Sequence, residues 1–146
     1  MRTLILIISL SFPTSLLSAQ AVEHVRLPGS LEGLPFSSAV RVGDVLYLSG
    51  QVGALPGTRQ LVEGGVAAET RQTMENIRAV LEYAGSSLDR VFKCTVFLVD
   101  IADYAEMNAV YAAFFPENPP ARSTVAGSGL ALGARVEIEC MAVTGR

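Results

Sequence analysis

The spacing of hydrophobic residues changes several times along the chain, and each change predicts a boundary between a strand and a helix. Two short runs rich in β-branched residues, 39–42 and 45–48, flank a Gly-Asp pair, which is the pattern of a β-hairpin. From about residue 66 to residue 84 the apolar residues recur every three or four positions, which predicts an amphipathic helix. Gly85 follows this stretch and is expected to end the helix.

A second group of elements is predicted in the C-terminal third of the chain. Asp100 and Asp103 are alternative N-caps for a helix whose apolar positions run from Tyr104 to Phe114. Three strands are predicted around this helix, at 91–99, 123–127 and 134–143. Residues 22–38 contain Pro and Gly and show no regular period, so we expect them to be irregular.

The predicted order, β-β-(short β)-α-β-α-β-β, indicates an α+β sandwich with two helices on one face of a roughly six-stranded mixed sheet. In the last strand apolar and mostly polar residues alternate, so they lie on opposite faces of the sheet. The apolar set is Val136, Ile138, Cys140 and Ala142, and the mostly polar set is Arg135, Glu137, Glu139 and Met141. We expect the apolar set to face the helices. The other face is either solvated or buried in an oligomer, and the apolar character of the neighbouring strands favours the oligomer.

The N-terminus has the pattern of a secretory leader. A short positive start precedes an apolar run, and Ala19-Gln20-Ala21 fits a signal-peptidase site, so we expect residues 1–21 to be removed and residues 22–146 to form the domain. The apolar run is too short and interrupted to span a bilayer, so no membrane segment is expected in the mature form. The predicted location is periplasmic or secreted. The alternative is an ordinary apolar strand or helix in a cytoplasmic protein.

Composition narrows the chemistry. The chain has 146 residues, of which 50% are hydrophobic, and a net charge of -3, which argues against nucleic-acid binding. His24 is the only histidine, so neither a multi-histidine metal site nor a histidine-based triad is expected. No phosphate-binding glycine motif is present, and we expect no cofactor. Cys94 and Cys140 are expected to be two buried thiols, although an exported protein can also pair them.

Several segments, taken in order, resemble the RidA/YjgF family, and together they cover residues 33–146. They are LPFSSAV at 34–40, VLYLSGQVG at 45–53, KCTVFL at 93–98, MNAVY at 107–111, PARS at 120–123 and RVEIE at 135–139. The resemblance implies a chorismate-mutase-like fold that assembles as a homotrimer with clefts between subunits. It also implies hydrolysis of 2-imino acids to 2-oxo acids and ammonia.

Two residues are candidates for catalysis by this resemblance. Arg122 matches the family's carboxylate-binding arginine, and a guanidinium can hold a carboxylate through two parallel hydrogen bonds. Glu137 matches the glutamate that positions water, and a carboxylate there can also carry a proton to the imine nitrogen.

Five further positions match the family's substrate-binding positions: Phe36, Ser49, Gly50, Asn108 and Thr124. Asn108 is alternatively a residue that fastens the helix to the following loop. Phe36 stands where the family's deaminases usually have tyrosine, and Thr124 where they often have cysteine. The loss of the tyrosine hydroxyl leaves open an alternative function, a trimer that binds a small carboxylate such as a 2-oxo acid without turnover. RNA cleavage, attributed to some family members, is disfavoured by the acidic charge.

Overall fold

A computed structural model describes residues 20–145, so the predicted leader, apart from Gln20 and Ala21, lies outside the described residues. There are two α-helices, α1 (Gly65–Tyr83) and α2 (Tyr104–Ala112). The strands are β1 (Val22–Val25), β2 (Ala39–Val42), β3 (Val45–Leu48), β4 (Gln51–Val52), β5 (Val91–Leu98), β6 (Ala121–Ala126) and β7 (Val136–Val143).

The strands form one mixed sheet in the order β1-β2-β3-β7-β5-β6, and β4 also pairs with β7. The β5–β6 pairing is parallel, and the other pairings are antiparallel. The predicted α+β sandwich is therefore confirmed, and the sheet has one strand more than the rough prediction. The extra strand is β1, which lies in a segment predicted to be irregular. It was missed because only Val25 of its four residues is buried, so an edge strand held by backbone hydrogen bonds shows no hydrophobic alternation.

The core lies between α1 and the face of the sheet that the helices cover. The predicted helical stripe is buried, and Met74 and Ile77 have no exposed surface. Every second residue of β7 packs against it, with Val136 and Ile138 also fully buried, so the predicted face assignment of this strand is confirmed. Gly85 follows α1 with a φ of 78°, the left-handed conformation that closes a helix.

The segment before α2 decides between the two predicted caps. The Asp100 carboxylate accepts a hydrogen bond from the Ala102 N–H at 2.9 Å and caps the 3-10 turn that leads into the helix. Asp103 makes no such cap. Its carboxylate instead accepts hydrogen bonds from Nε and Nη2 of Arg135 at 2.8 to 3.0 Å.

The prediction of two free thiols is wrong, because Cys94 and Cys140 form a disulfide. They are direct cross-strand partners in the antiparallel β5–β7 pairing, with their Cα atoms 4.1 Å apart. Both are buried on the helix side of the sheet. The sequence did not reveal the pairing because the register between strands 46 residues apart is a property of the fold.

Neither helix lies on the second face of the sheet, which consists of alternate residues of the same strands. Tyr47 and Val143 on this face are 45% and 41% exposed, and Phe97 and Met141 are half-buried. Within residues 20–145 this face therefore exposes apolar side chains beside the charged residues Lys93, Glu137 and Glu139. No helix in this part of the chain is long and apolar enough to cross a membrane.

Candidate functional site

Arg122 lies on β6 and points toward α2. Its Nη2 donates hydrogen bonds to Oδ1 of Asn108 at 2.7 Å and to the Tyr104 hydroxyl at 2.9 Å. Its guanidinium carbon is also 4.6 Å from the centroid of the Tyr111 ring and 5.5 Å from that of Tyr104. Asn108 therefore fastens the helix to Arg122 and orients the guanidinium.

The three α2 residues that hold Arg122 share one face of the helix because they are spaced four and three positions apart. Their spacing in the sequence predicts Tyr104 and Tyr111 as members of an apolar stripe and does not indicate this role. The available signal was their position on the same helical face as the candidate Asn108. Burial raises the pKa of Tyr111 to about 12, against the opposing effect of Arg122, so the phenol stays neutral.

No carboxylate within residues 20–145 forms an ion pair with Arg122. Its partners are two phenol rings and an amide, all uncharged, so its positive charge is not neutralised. A cavity of about 550 Å³ borders Arg122 between α2, β6 and Pro119-Pro120. Thr124, two residues along β6, also lines this cavity, and its buried hydroxyl has no hydrogen-bond partner among the described residues. This arrangement is suited to binding a small anion.

Glu137 lies on β7 and belongs to the set of residues on the uncovered face of the sheet. Gly50 packs directly against it, and a Cβ at position 50 would overlap Oε1 of the carboxylate. Glycine is thus required here for close approach. Burial raises the pKa of Glu137, and the neighbouring Glu139 carboxylate raises it further. A raised pKa makes the carboxylate a better proton acceptor, which suits a general base.

The remaining candidates, Phe36 and Ser49, line a second cavity together with Gly50 and Glu137, with a volume of about 780 Å³. The Ser49 hydroxyl donates a hydrogen bond to the backbone oxygen of Ser37 at 2.7 Å. Ser49 therefore ties the loop that carries Phe36 to the end of β3. Phe36 itself is 49% exposed and is the aromatic residue in the lining of this cavity.

One chain does not bring Arg122 and Glu137 together. Arg122 is the register partner of Cys94, which in turn pairs with Cys140, so it belongs to the helix-side set of residues. Glu137 alternates with that set and lies on the opposite face. The Cα atoms of Arg122 and Glu137 are separated by two strand spacings, from β6 across β5 to β7, and by three residues along β7, which together give about 14 Å. The candidate residues therefore form two separate groups, called half-sites below, one around Arg122 with Asn108 and Thr124 and the other around Glu137.

The start of β7 is fixed by two acidic residues from other elements. The backbone N–H of Arg135 donates to Oε2 of Glu69, a buried residue of α1, at 2.8 Å. The Arg135 side chain binds Asp103, which directly precedes Tyr104. These contacts hold the strand that carries Glu137 to the helix that orients Arg122, and so set the two half-sites in a defined relation.

No group of three or more His, Cys, Asp or Glu side chains in the described part of the chain is arranged to hold a metal ion. His24 lies on β1, with Nδ1 3.3 Å from the Ser37 hydroxyl, and lines neither cavity.

Comparison with known proteins identifies the family. The family model described as Endoribonuclease L-PSP matches residues 31–144. The chain is 39% identical over 131 residues to the human 2-iminobutanoate/2-iminopropanoate deaminase, covering 90% of this chain and 94% of that protein. It is 44% identical over 112 residues to protein DfrA of Myxococcus xanthus, covering 75% and 86% of the two chains. The crystal structure of RidA from the Antarctic bacterium Psychrobacter sp. PAMC 21119 matches with a TM-score of 0.77 at 38% identity, over 83% of this chain and 98% of that one. The chain belongs to the RidA/YjgF family.

Membership of the RidA/YjgF family confirms the resemblance predicted from the sequence, and the solved relatives share its chorismate-mutase-like fold. Relatives named as imine deaminases support a deaminase role for the family. Other relatives in the same family carry names without an activity, such as DfrA, so the activity of this RidA/YjgF chain must be argued from its own site.

Proposed function

We propose that this protein hydrolyses 2-imino acids, and the enamines in equilibrium with them, to 2-oxo acids and ammonia. The observation that carries the proposal is that the positive charge of Arg122 has no negative partner among the described residues. This guanidinium is oriented by Asn108, Tyr104 and Tyr111 and borders a cavity, yet no described carboxylate neutralises it. A substrate with a carboxylate beside its reacting carbon provides the missing partner.

The complete site is formed between two copies of the chain in a homotrimer. Arg122 and Glu137 lie on opposite faces of the sheet in one chain, so a substrate that contacts both must lie between two chains. Apolar residues on the uncovered face, such as Tyr47 and Val143, support such an assembly because they are exposed in a single chain. In this arrangement Arg122 of one copy serves the cleft that contains Glu137 of the next.

The chemistry requires one water molecule and no redox step. Arg122 holds the substrate carboxylate, and Glu137 accepts a proton from water as the water oxygen bonds to the imine carbon. Glu137 then gives this proton to nitrogen, which yields a carbinolamine with one hydroxyl and one amino group on the same carbon. The hydroxyl proton moves to nitrogen through the same carboxylate, the C–N bond breaks as the C=O bond forms, and the products are a 2-oxo acid and ammonia. The raised pKa of Glu137 favours this transfer because it makes the carboxylate a stronger proton acceptor than an exposed glutamate.

A second candidate function is binding of a small carboxylate without turnover. It is favoured by Phe36, which provides an aromatic wall but no hydroxyl to bond substrate or water. Under this alternative Arg122 and the trimer keep their roles, while Glu137 only closes the cleft. RNA cleavage is not proposed, despite the name of the matching family model, because a net charge of -3 does not attract a polyanion.

The first experiment generates a 2-imino acid in situ with an amino-acid oxidase and follows its loss with and without the protein. We expect acceleration that falls at least a hundredfold in Arg122→Ala. Arg71→Ala, which removes an exposed arginine of α1 that lines neither cavity, is the matched control and should keep the parental rate. If the imine loss were not accelerated but 2-oxobutanoate stabilised the protein thermally, the binding function would be supported. Turnover gained in Phe36→Tyr would then show that the missing tyrosine hydroxyl is the reason for the lack of activity.

A second experiment tests whether the site is shared. We expect Arg122→Ala and Glu137→Gln chains to be inactive separately, whereas a mixed trimer pairs an intact Arg122 of one chain with an intact Glu137 of the other. Random assembly of equal amounts restores about a quarter of the clefts, and we expect about that share of the parental activity. If both residues acted within one chain, every site in the mixture would remain defective and no activity would return.

We also propose that the protein works outside the cytoplasm, after removal of residues 1–21. The leader pattern and the Cys94–Cys140 disulfide support this proposal, because disulfides persist mainly in oxidising compartments. Residues 22–25 form β1, so cleavage after Ala21 would leave every described strand intact.

A further inference from the structure

Most of the larger of the two cavities is not used in the steps above, which involve only Glu137 of its lining. It has a volume of about 780 Å³ and borders Glu137 and Gly50. The proposed function, on which this inference rests, places the substrate carboxylate at Arg122 of a second copy and water at Glu137. The remaining substituent of the imine carbon is the side chain of the imino acid, and this cavity is the space beside Glu137 that is open to it.

The wall of the cavity is mainly apolar. Its leucine and aromatic residues come from the segment before β2, the loop after β4 and the loop before β7: Leu27, Leu31, Leu34, Phe36, Leu55 and Leu132. Phe36 and Leu132 are 49% and 50% exposed, so the chain leaves apolar surface uncovered here. Of the four charged residues of the lining, Glu137 is half-buried, and Arg26, Glu32 and Arg59 are exposed. Exposed apolar residues gathered around one hollow are typical of a ligand site.

Leu132 gives a second, independent indication. Its φ is 59° and its ψ is 8°, the left-handed conformation, and it is the only residue other than glycine with positive φ within residues 20–145. This conformation is disfavoured for a residue with a Cβ, and such backbone outliers concentrate at functional sites. The loop thus places a large apolar side chain on the cavity wall, although glycine would fit its backbone more easily.

We propose that this cavity binds the side chain of the substrate, and that the preferred substrates are 2-imino acids with a large apolar side chain, branched aliphatic or aromatic. A methyl group fills only a small part of the hollow. Each additional buried carbon contributes about a fourfold gain in affinity, so complete burial of three more carbons gives about a sixtyfold gain. The leucine-derived imine should therefore exceed the alanine-derived imine in kcat/KM by one to two orders of magnitude.

The test compares kcat/KM for imines generated in situ from L-alanine, L-leucine and L-phenylalanine. We expect the leucine- and phenylalanine-derived imines to be at least tenfold better substrates. Leu132→Asn retains a residue that tolerates positive φ but makes the wall polar, and should reduce the leucine-to-alanine ratio about fourfold or more. Ile101→Asn, which changes an apolar residue that is 57% exposed outside the cavity, is the matched control and should leave the ratio unchanged.

The outcomes separate this inference from the proposed function. Equal kcat/KM for the alanine- and leucine-derived imines would overturn the inference and leave deamination standing. If the protein accelerated the hydrolysis of none of the imines, deamination would be overturned. Ligand binding would then test whether the cavity prefers a large apolar side chain. In that case thermal stabilisation is compared for 2-oxopropanoate and 4-methyl-2-oxopentanoate. A larger shift with the branched acid supports the apolar pocket, and an equal or smaller shift overturns it.

Discussion

Reduction of the Cys94–Cys140 disulfide should destabilise the folded chain substantially. The bond joins residues 46 positions apart in the sequence and so closes a long loop in the unfolded chain. The loss of chain entropy for a loop of this length corresponds to about 4 kcal/mol at 25 °C, and measured effects of such bonds are commonly 2 to 4 kcal/mol. We therefore expect the free energy of unfolding to fall by about 2 to 4 kcal/mol.

The measurement is equilibrium unfolding in guanidinium chloride at one protein concentration, with and without a thiol reductant. Samples are equilibrated from the unfolded side, because both sulfurs are buried in the folded chain and react slowly there. A loss of this size lowers the unfolding midpoint by about 1 M. The double variant Cys94→Ala/Cys140→Ala is the control, since it has no cysteine left and its midpoint should not respond to the reductant.

Coincident unfolding curves, together with two titratable thiols in unfolded protein that was never reduced, would refute this reasoning. That result would show that β5 and β7 are held by the sheet and the core alone. It would also remove one of the two observations that support a location in an oxidising compartment.

Three further predictions concern the site and the N-terminus. Because burial raises the pKa of Glu137, ionisation of this residue destabilises the folded state, and the penalty is absent at low pH. The free energy of unfolding of Glu137→Gln should therefore exceed that of the parent at pH 7, and the difference should shrink as the pH falls toward 4. A difference that grows in acid would contradict the raised pKa. Asp103→Asn removes the carboxylate charge from a bidentate pair and should lower the free energy of unfolding by about 1 kcal/mol in denaturant titrations, and no change would show that the pair is only a solvated surface contact. N-terminal sequencing of protein expressed with its leader should find cleavage directly after Ala21, and a mature protein that begins at Met1 would exclude export.

The helices, the strands and the family resemblance could be predicted from the sequence because they depend on local patterns of residues. The period of apolar residues in α1 and the alternation in β7 are imposed by helix and strand geometry, and both were confirmed. The glycine after α1 was likewise readable, since a helix end with positive φ favours glycine. Arg122 and Asn108 were recognised as candidates by resemblance, and the structure brings these two together.

Other features depend on strand order and register, which local patterns do not encode. The Cys94–Cys140 bond and the edge strand β1 both required knowledge of which strands are neighbours. The two tyrosines that hold Arg122 were read as core residues, because helical spacing does not say whether a face meets the core or a charged side chain.

The division of the candidate site was also decided by the tertiary structure alone. The sequence named Arg122 and Glu137 as partners, but strand register and side-chain alternation determine the face on which each residue lies. A shift of one residue would have placed both on one face. Only the folded sheet shows that they lie on opposite faces, which is why the proposed reaction needs a second copy of the chain.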